Sequence, residues 1–110
     1  MYEPQVCVFC SSIQYLERPY QVLEDIFQYN IPYIILDRTA FIDEKKDRLT
    51  IQKVPPAYYI ASYPCWFLSK SKFLSFMSTH YSLIEEFKNE IYLQLGLQHL
   101  RYEGMWFQKK

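Results

Sequence analysis

The sequence predicts an α/β unit built on a partly parallel sheet and closed by an antiparallel hairpin. Three observations predict it. Val6–Cys10 and Tyr33–Leu36 are continuous apolar runs, the look of parallel strands buried on both faces. Between them Tyr20, Leu23, Ile26 and Phe27 recur at helical spacing, which makes strand, helix and strand a βαβ unit. At the other end Ile91, Leu93, Leu95 and Leu97 alternate with other residues, and Arg101–Gln108 follows as a last extended segment.

The elements can be justified in order. After the first strand SSIQYLER reads as a polar turn, and Pro19 suits the first turn of a helix because its missing N–H needs no partner there. Asn30 and Pro32 stop that helix. Asp37 and Arg38 end the second strand. From Thr39 to Leu68 a long irregular stretch is expected, with prolines at 55, 56 and 64, and loops of that length are usually functional. Ser69 is a candidate cap for a second helix that turns Phe73, Leu74, Phe76 and Met77 inward. Tyr81–Phe87 reads as a strand. The two final strands form a hairpin with a long connection.

Composition narrows the function. The chain has 110 residues, one domain's worth, and half of them are hydrophobic, enough for a core. Twelve acidic and twelve basic residues cancel, so no electrostatic footprint for nucleic acid or an anionic membrane is present. The first residues lack the charged lead of a signal peptide, and three cysteines make no disulfide framework, so a reducing cytoplasm is expected. Only Gly96 and Gly104 are glycines, too few for a loop whose backbone cradles a phosphate or dinucleotide. Cys7 and Cys10 spell CxxC, but strand alternation sends them to opposite faces, and neither His80 nor His99 completes a ligand set. Buried apolar cysteines, and no metal, are expected.

The stretches SSIQYLERPYQVL, YIILDRTAF, DRLTIQKVPPAYYIASYPCWFLS and YEGMWF resemble a family of bacterial methyltransferases of uncharacterised substrate, over roughly residues 6–108. The order of elements is similar to the second half of class I, S-adenosylmethionine-dependent methyltransferases. The resemblance implies a partial Rossmann-like sheet, with Val6–Cys10 as the fourth strand, Tyr33–Leu36 as the fifth and the hairpin as the sixth and seventh. The family's first three strands, with their glycine-rich turn and ribose-gripping acidic residue, have no counterpart here. The sequence is therefore expected to be half of such an enzyme, inactive alone and binding no S-adenosylmethionine by itself.

Ligands of open α/β sheets sit beyond the carboxyl ends of the strands. Ser11, Ser12, Gln14 and Tyr15 fall there after the first strand, and Asp37, Arg38 and Thr39 after the second. In the complete enzyme Ser11, Ser12 and Gln14 are the candidate cofactor contacts, and Tyr15 or Asp37 the candidate general base. Ordinary turn chemistry and a surface Asp–Arg pair are the alternative. Arg38, Arg48, Gln52, Tyr59, Tyr63 and Trp66 combine cations, an amide and aromatic faces, the mix that holds a small or sugar-like methyl acceptor. The aromatic residues among them have a plainer alternative, packing the loop onto the sheet.

Two further functions compete with the enzyme. One is a non-enzymatic interaction module that forms a homodimer through the exposed edge of its first strand. The other, prompted by the Tyr and Trp content, is a carbohydrate-binding domain.

Overall fold

The computed structural model describes residues 4–53, 62–95 and 98–110, with the backbone alone at 52–53, 62–63, 88–95 and 98–101. Six strands, β1 (Val6–Cys10), β2 (Tyr33–Ile42), β3 (Arg48–Lys53), β4 (Ser62–Ser69), β5 (Tyr81–Leu95) and β6 (Gln98–Lys109), form one mixed sheet. Two helices, α1 (Pro19–Phe27) and α2 (Lys70–Ser78), and a 3-10 turn at Ile13–Tyr15 complete it. The fold is α/β, with mostly antiparallel pairing. β2 lies at the centre: β1 and β4 run parallel to it along one edge, and β6 runs antiparallel along the other. β5 pairs outside β6, and β3 outside β4, both antiparallel.

The βαβ unit forms as its spacing predicts. Pro19 opens α1, Leu23 is fully buried, and Ile26 and Phe27 pack on the core. β1 pairs β2 in parallel from Val6 opposite Tyr33 to Cys10 opposite Asp37. Ser69 caps α2, its hydroxyl accepting from the Lys72 backbone N–H at 3.3 Å, and Phe73 and Met77 are fully buried.

Several expectations need correction. β2 does not end at Asp37 but runs to Ile42 through an irregularity between Leu36 and Thr39, where Arg38 takes a positive φ of 50°. The stretch from Thr39 to Leu68 is not simply loop. Its middle, RLTIQK, alternates polar and apolar residues and pairs antiparallel with Ser62–Ser69. Pro64 is tolerated in that pair because β4 meets β2 only near Leu68 and Ser69, so the edge that lacks a proline N–H carries no ladder there. Tyr81–Phe87 and Ile91–Leu95 are one strand, β5, with Leu97 outside the described residues. No long connection joins the hairpin, whose register closes with Leu95 opposite Gln98.

Both helices cover the same face. Phe9, Ile34, Leu36, Phe41, Leu68, Met105 and Phe107 of the sheet form one core with Ile13, Leu23, Phe73 and Met77. Phe73 is its hub, with ring centroids 5.4 Å from Phe41 and 6.1 Å from Phe107. On the opposite face a small cluster of Ala40, Ile42, Cys65 and Phe67 is buried. Beside it β1 corrects the expectation of burial on both sides: only Phe9 is buried, while Val6 is 44% and Val8 59% exposed. The cysteines follow suit. Cys65 is buried and Cys7 half-buried, but Cys10 is exposed, on the face away from Cys7.

Candidate functional site

β1 and β4 share one edge of β2 but leave a gap between them, from Arg38 to Ala40. The 3-10 turn that follows β1 fills this gap. Ser11 makes the bend with a positive φ of 49°, and its N–H donates to the Asp37 carbonyl at 2.9 Å. Gln14 then enters the interior, fully buried, and its Nε2 donates to the Arg38 carbonyl at 3.0 Å. A side-chain amide thus supplies the bond that a neighbouring strand would make, which a buried carbonyl needs. Two non-glycine residues in the left-handed region meet here, Ser11 just after β1 and Arg38 at the irregularity within β2. Such strain persists only where the surroundings impose it, and it gathers at functional sites.

This edge sets Ser11, Ser12 and Gln14, which follow β1, beside Asp37, Arg38 and Thr39, which lie within β2 rather than beyond its end. Their access differs. Ser11 and Arg38 are exposed, Ser12 and Asp37 half-buried, and Gln14 and Thr39 enclosed. Gln14 therefore supports the edge from behind, with its Oε1 buried and unpartnered. The hydroxyls of Ser11 and Ser12 are small polar groups at this edge. Gly104 lies in β6, and no glycine stands between Met1 and Leu95 to let backbone approach a ligand closely. Among the described residues no group of three or more His, Cys, Asp or Glu side chains could hold a metal ion.

A cleft opens beside this edge, between the 3-10 turn and the β3–β4 hairpin. Tyr15, Leu16, Glu17, Leu49, Pro64 and Trp66 line a cavity of about 350 Å³. A second cavity, of about 260 Å³, shares Glu17 and Trp66 and adds Arg18, Tyr20, Asp47 and Lys72. Strand register builds the apolar wall, since Leu49 stands opposite Trp66 and Ile51 opposite Pro64. Leu49 is 51% and Ile51 62% exposed, so this wall faces open space.

The far end of the cleft is held by Asp47. Its Oδ1 accepts from the Ser69 N–H at 2.7 Å and from the Tyr20 hydroxyl at 3.2 Å, and its Oδ2 pairs with Lys72 Nζ at 2.9 Å. Lys72 also sits 4.7 Å above the Tyr20 ring. Burial, reinforced by the Asp47 charge and hydrogen bond, pushes the Tyr20 phenol well above its usual pKa. This neutral phenol joins α1 to the turn before β3.

The acceptor candidates are dispersed. Trp66 and Tyr15 meet in the cleft. Arg48 is exposed, and strand alternation puts it on the other side of the hairpin from Leu49 and Trp66. Gln52 and Tyr63 pair at the backbone, their side chains outside the described residues, as is all of Tyr59. Sequence reasoning missed Glu17, Arg18, Leu49, Asp47 and Lys72. The alternation of RLTIQK was the signal that would have placed Leu49 beside Trp66.

Among the described residues no helix is long and apolar enough to cross a membrane. Comparison with family models, with curated proteins and with solved structures returns no match.

Proposed function

We propose that this chain is the acceptor-binding half of an S-adenosylmethionine-dependent methyltransferase, with a Rossmann-like sheet completed by strands outside this sequence. The observation that carries the reading is the strand order. β1, β2, β6 and β5 lie side by side, with β6 antiparallel between two strands that run the same way. The resembled family likewise sets its fourth strand beside its fifth, and its last strand runs antiparallel. The polar, strained edge at Ser11 and Arg38 lies beyond the carboxyl end of β1, where such sheets take their ligands.

In this reading Ser11 and Ser12 face the methyl donor, which supplies the activated methyl group. Tyr15 and Trp66 orient the acceptor, a small or sugar-like molecule, and Asp37 or Tyr15 takes its proton. The test is to read the coding sequence upstream of Met1 and express the longest open frame. A glycine-rich strand–turn–helix there, with micromolar binding of S-adenosylmethionine by calorimetry, supports the proposal. A frame with neither overturns it.

A second reading is favoured by β1, which pairs with β2 alone and leaves its outer edge open among the described residues. It makes the chain an interaction module that joins a second copy at that edge.

A further inference from the structure

We propose that the two cavities flanking Trp66 form one cleft for a neutral saccharide ring, stacked on the indole and hydrogen-bonded to Glu17 and Arg18. This rests on the acceptor reading above and names the class of acceptor. The lining divides into two chemistries. Tyr15, Leu16, Leu49, Pro64 and Trp66 give a flat apolar wall, and Glu17, at the junction of both cavities, begins the polar end.

That polar end is largely closed on itself. The Lys72 ammonium, the Ser69 N–H and the Tyr20 hydroxyl are all directed at Asp47, and the Ser69 hydroxyl donates to the Glu44 carbonyl. Gln21 donates to Asp25 at 3.2 Å. Glu17 and Arg18 are different: both are exposed, and among the described residues neither side chain has a partner. They are one acceptor group and one donor group, side by side at the mouth of an apolar wall.

The balance selects the ligand. An anion gains from Arg18 but meets Glu17, and a cation meets the reverse, so a net charge brings no advantage. A plain hydrocarbon leaves both charged groups without new hydrogen bonds. A pyranose satisfies every part of the site. Its C–H face covers the indole, a hydroxyl donates to the Glu17 carboxylate, and another accepts from the Arg18 guanidinium. Few polar groups beside an apolar wall is also the usual make-up of a small-molecule site.

The test uses the full chain and saturation-transfer NMR. The probes are methyl hexosides, with a hexuronate, a hexosamine and adenosine as competitors. The expected result is saturable binding of at least one neutral hexoside, with transfer strongest at ring protons of a single face. Trp66→Leu weakens it by about tenfold, and Glu17→Ala and Arg18→Ala each by severalfold. Because Trp66 also touches the core, Leu49→Glu serves as a second variant, on a half-exposed wall residue, and abolishes binding while the melting temperature holds. Absence of saturable binding by every hexoside overturns the proposal, as does preference for the uronate, the amine or adenosine. No methyl donor enters this assay. A negative result here leaves the methyltransferase reading standing, and a failure of the longer protein to bind S-adenosylmethionine leaves this cleft standing.

Discussion

Gln14 does for Arg38 what a strand would do: its amide donates to the Arg38 carbonyl at 3.0 Å, where β2 lies between its two edge partners. The bond is part-buried and Gln14 itself is fully enclosed. Removing the donor leaves a carbonyl without its partner, a loss of about 1–3 kcal/mol. Gln14→Leu, close in volume, isolates that cost from a cavity. Urea unfolding of this variant is expected to show a lower midpoint at unchanged slope. An unchanged midpoint would mean that water serves Arg38 equally well.

Gly104 and Phe87 stand opposite each other in the terminal hairpin, and the phenyl ring covers the glycine. A Cβ at Gly104 would lie 1.9 Å from Phe87 Cε2, an impossible contact. Phe87 is 38% exposed, so its ring can swing outward rather than force the backbone apart. Gly104→Ala is therefore expected to cost about 1–2 kcal/mol through the lost ring contact. In a Phe87→Ala background the same substitution costs nothing or stabilises, because alanine suits a strand better than glycine. A double-mutant cycle reads this coupling directly, and additive effects would show that the ring does not need the glycine.

The sequence disclosed the parts whose signals are local. Val6–Cys10, Pro19, Leu23 and Ser69 announce strand, helix start, core stripe and cap through nearest neighbours alone. The β3–β4 hairpin stayed hidden because prolines at 55, 56 and 64 argue for loop, and only the one-sided pairing of β4 makes Pro64 acceptable. Burial misled as well. VCVFC is apolar at every position, yet both helices settle on one face and leave Val6 and Val8 outside. Of the site, residues next to strand ends were legible. Glu17, Asp47 and Lys72 were not, because three separate segments bring them together.

Alkaline pH should loosen the fold through Lys70. The ammonium reaches Glu103 Oε2 and Glu86 Oε1, each at 3.0 Å. Burial alone would lower its pKa, but the hydrogen bonds and charges of Glu103 and Glu86 outweigh burial and hold it above the usual lysine value. A group raised in the folded state stabilises fully below its unfolded pKa, near 10.4, and loses that contribution as pH rises through the folded value. Tyr20 acts in the same window, since its phenol stays neutral in the fold while the unfolded chain ionises above about 10. Stability is expected to fall between about pH 10 and 12. Lys70→Met removes the ammonium from beside the nearly buried Glu103, is expected to cost about 1–3 kcal/mol near neutrality, and flattens the alkaline decline. A decline of equal steepness in this variant would assign the effect to the tyrosines.

The open edge of β1 leads to the last prediction. Among the described residues β1 is paired on one side only, with β2, and its five residues, VCVFC, carry no charge to discourage a further strand. On the face away from the helices Val6 and Val8 are exposed, and their partners in the register are Tyr33 and Ile35. Next along the sheet Ile35 faces Trp106, which is 37% exposed. The open edge therefore continues into a stripe of apolar side chains that water covers at a cost. A second copy that pairs at β1 satisfies backbone groups and shortens that stripe in one step. The chain is expected to be dimeric or larger in light scattering, with the mass falling on dilution. Val8→Lys puts a charge at the more exposed of the two β1 valines without touching the helix-side core, and is expected to give a monomer of unchanged melting temperature. Pro4, exposed just ahead of β1, is the feature that opposes association, because proline cannot extend the ladder. A monomer at every concentration, for the native sequence and Val8→Lys alike, would show that the edge is protected without a second copy and would remove the interaction-module reading.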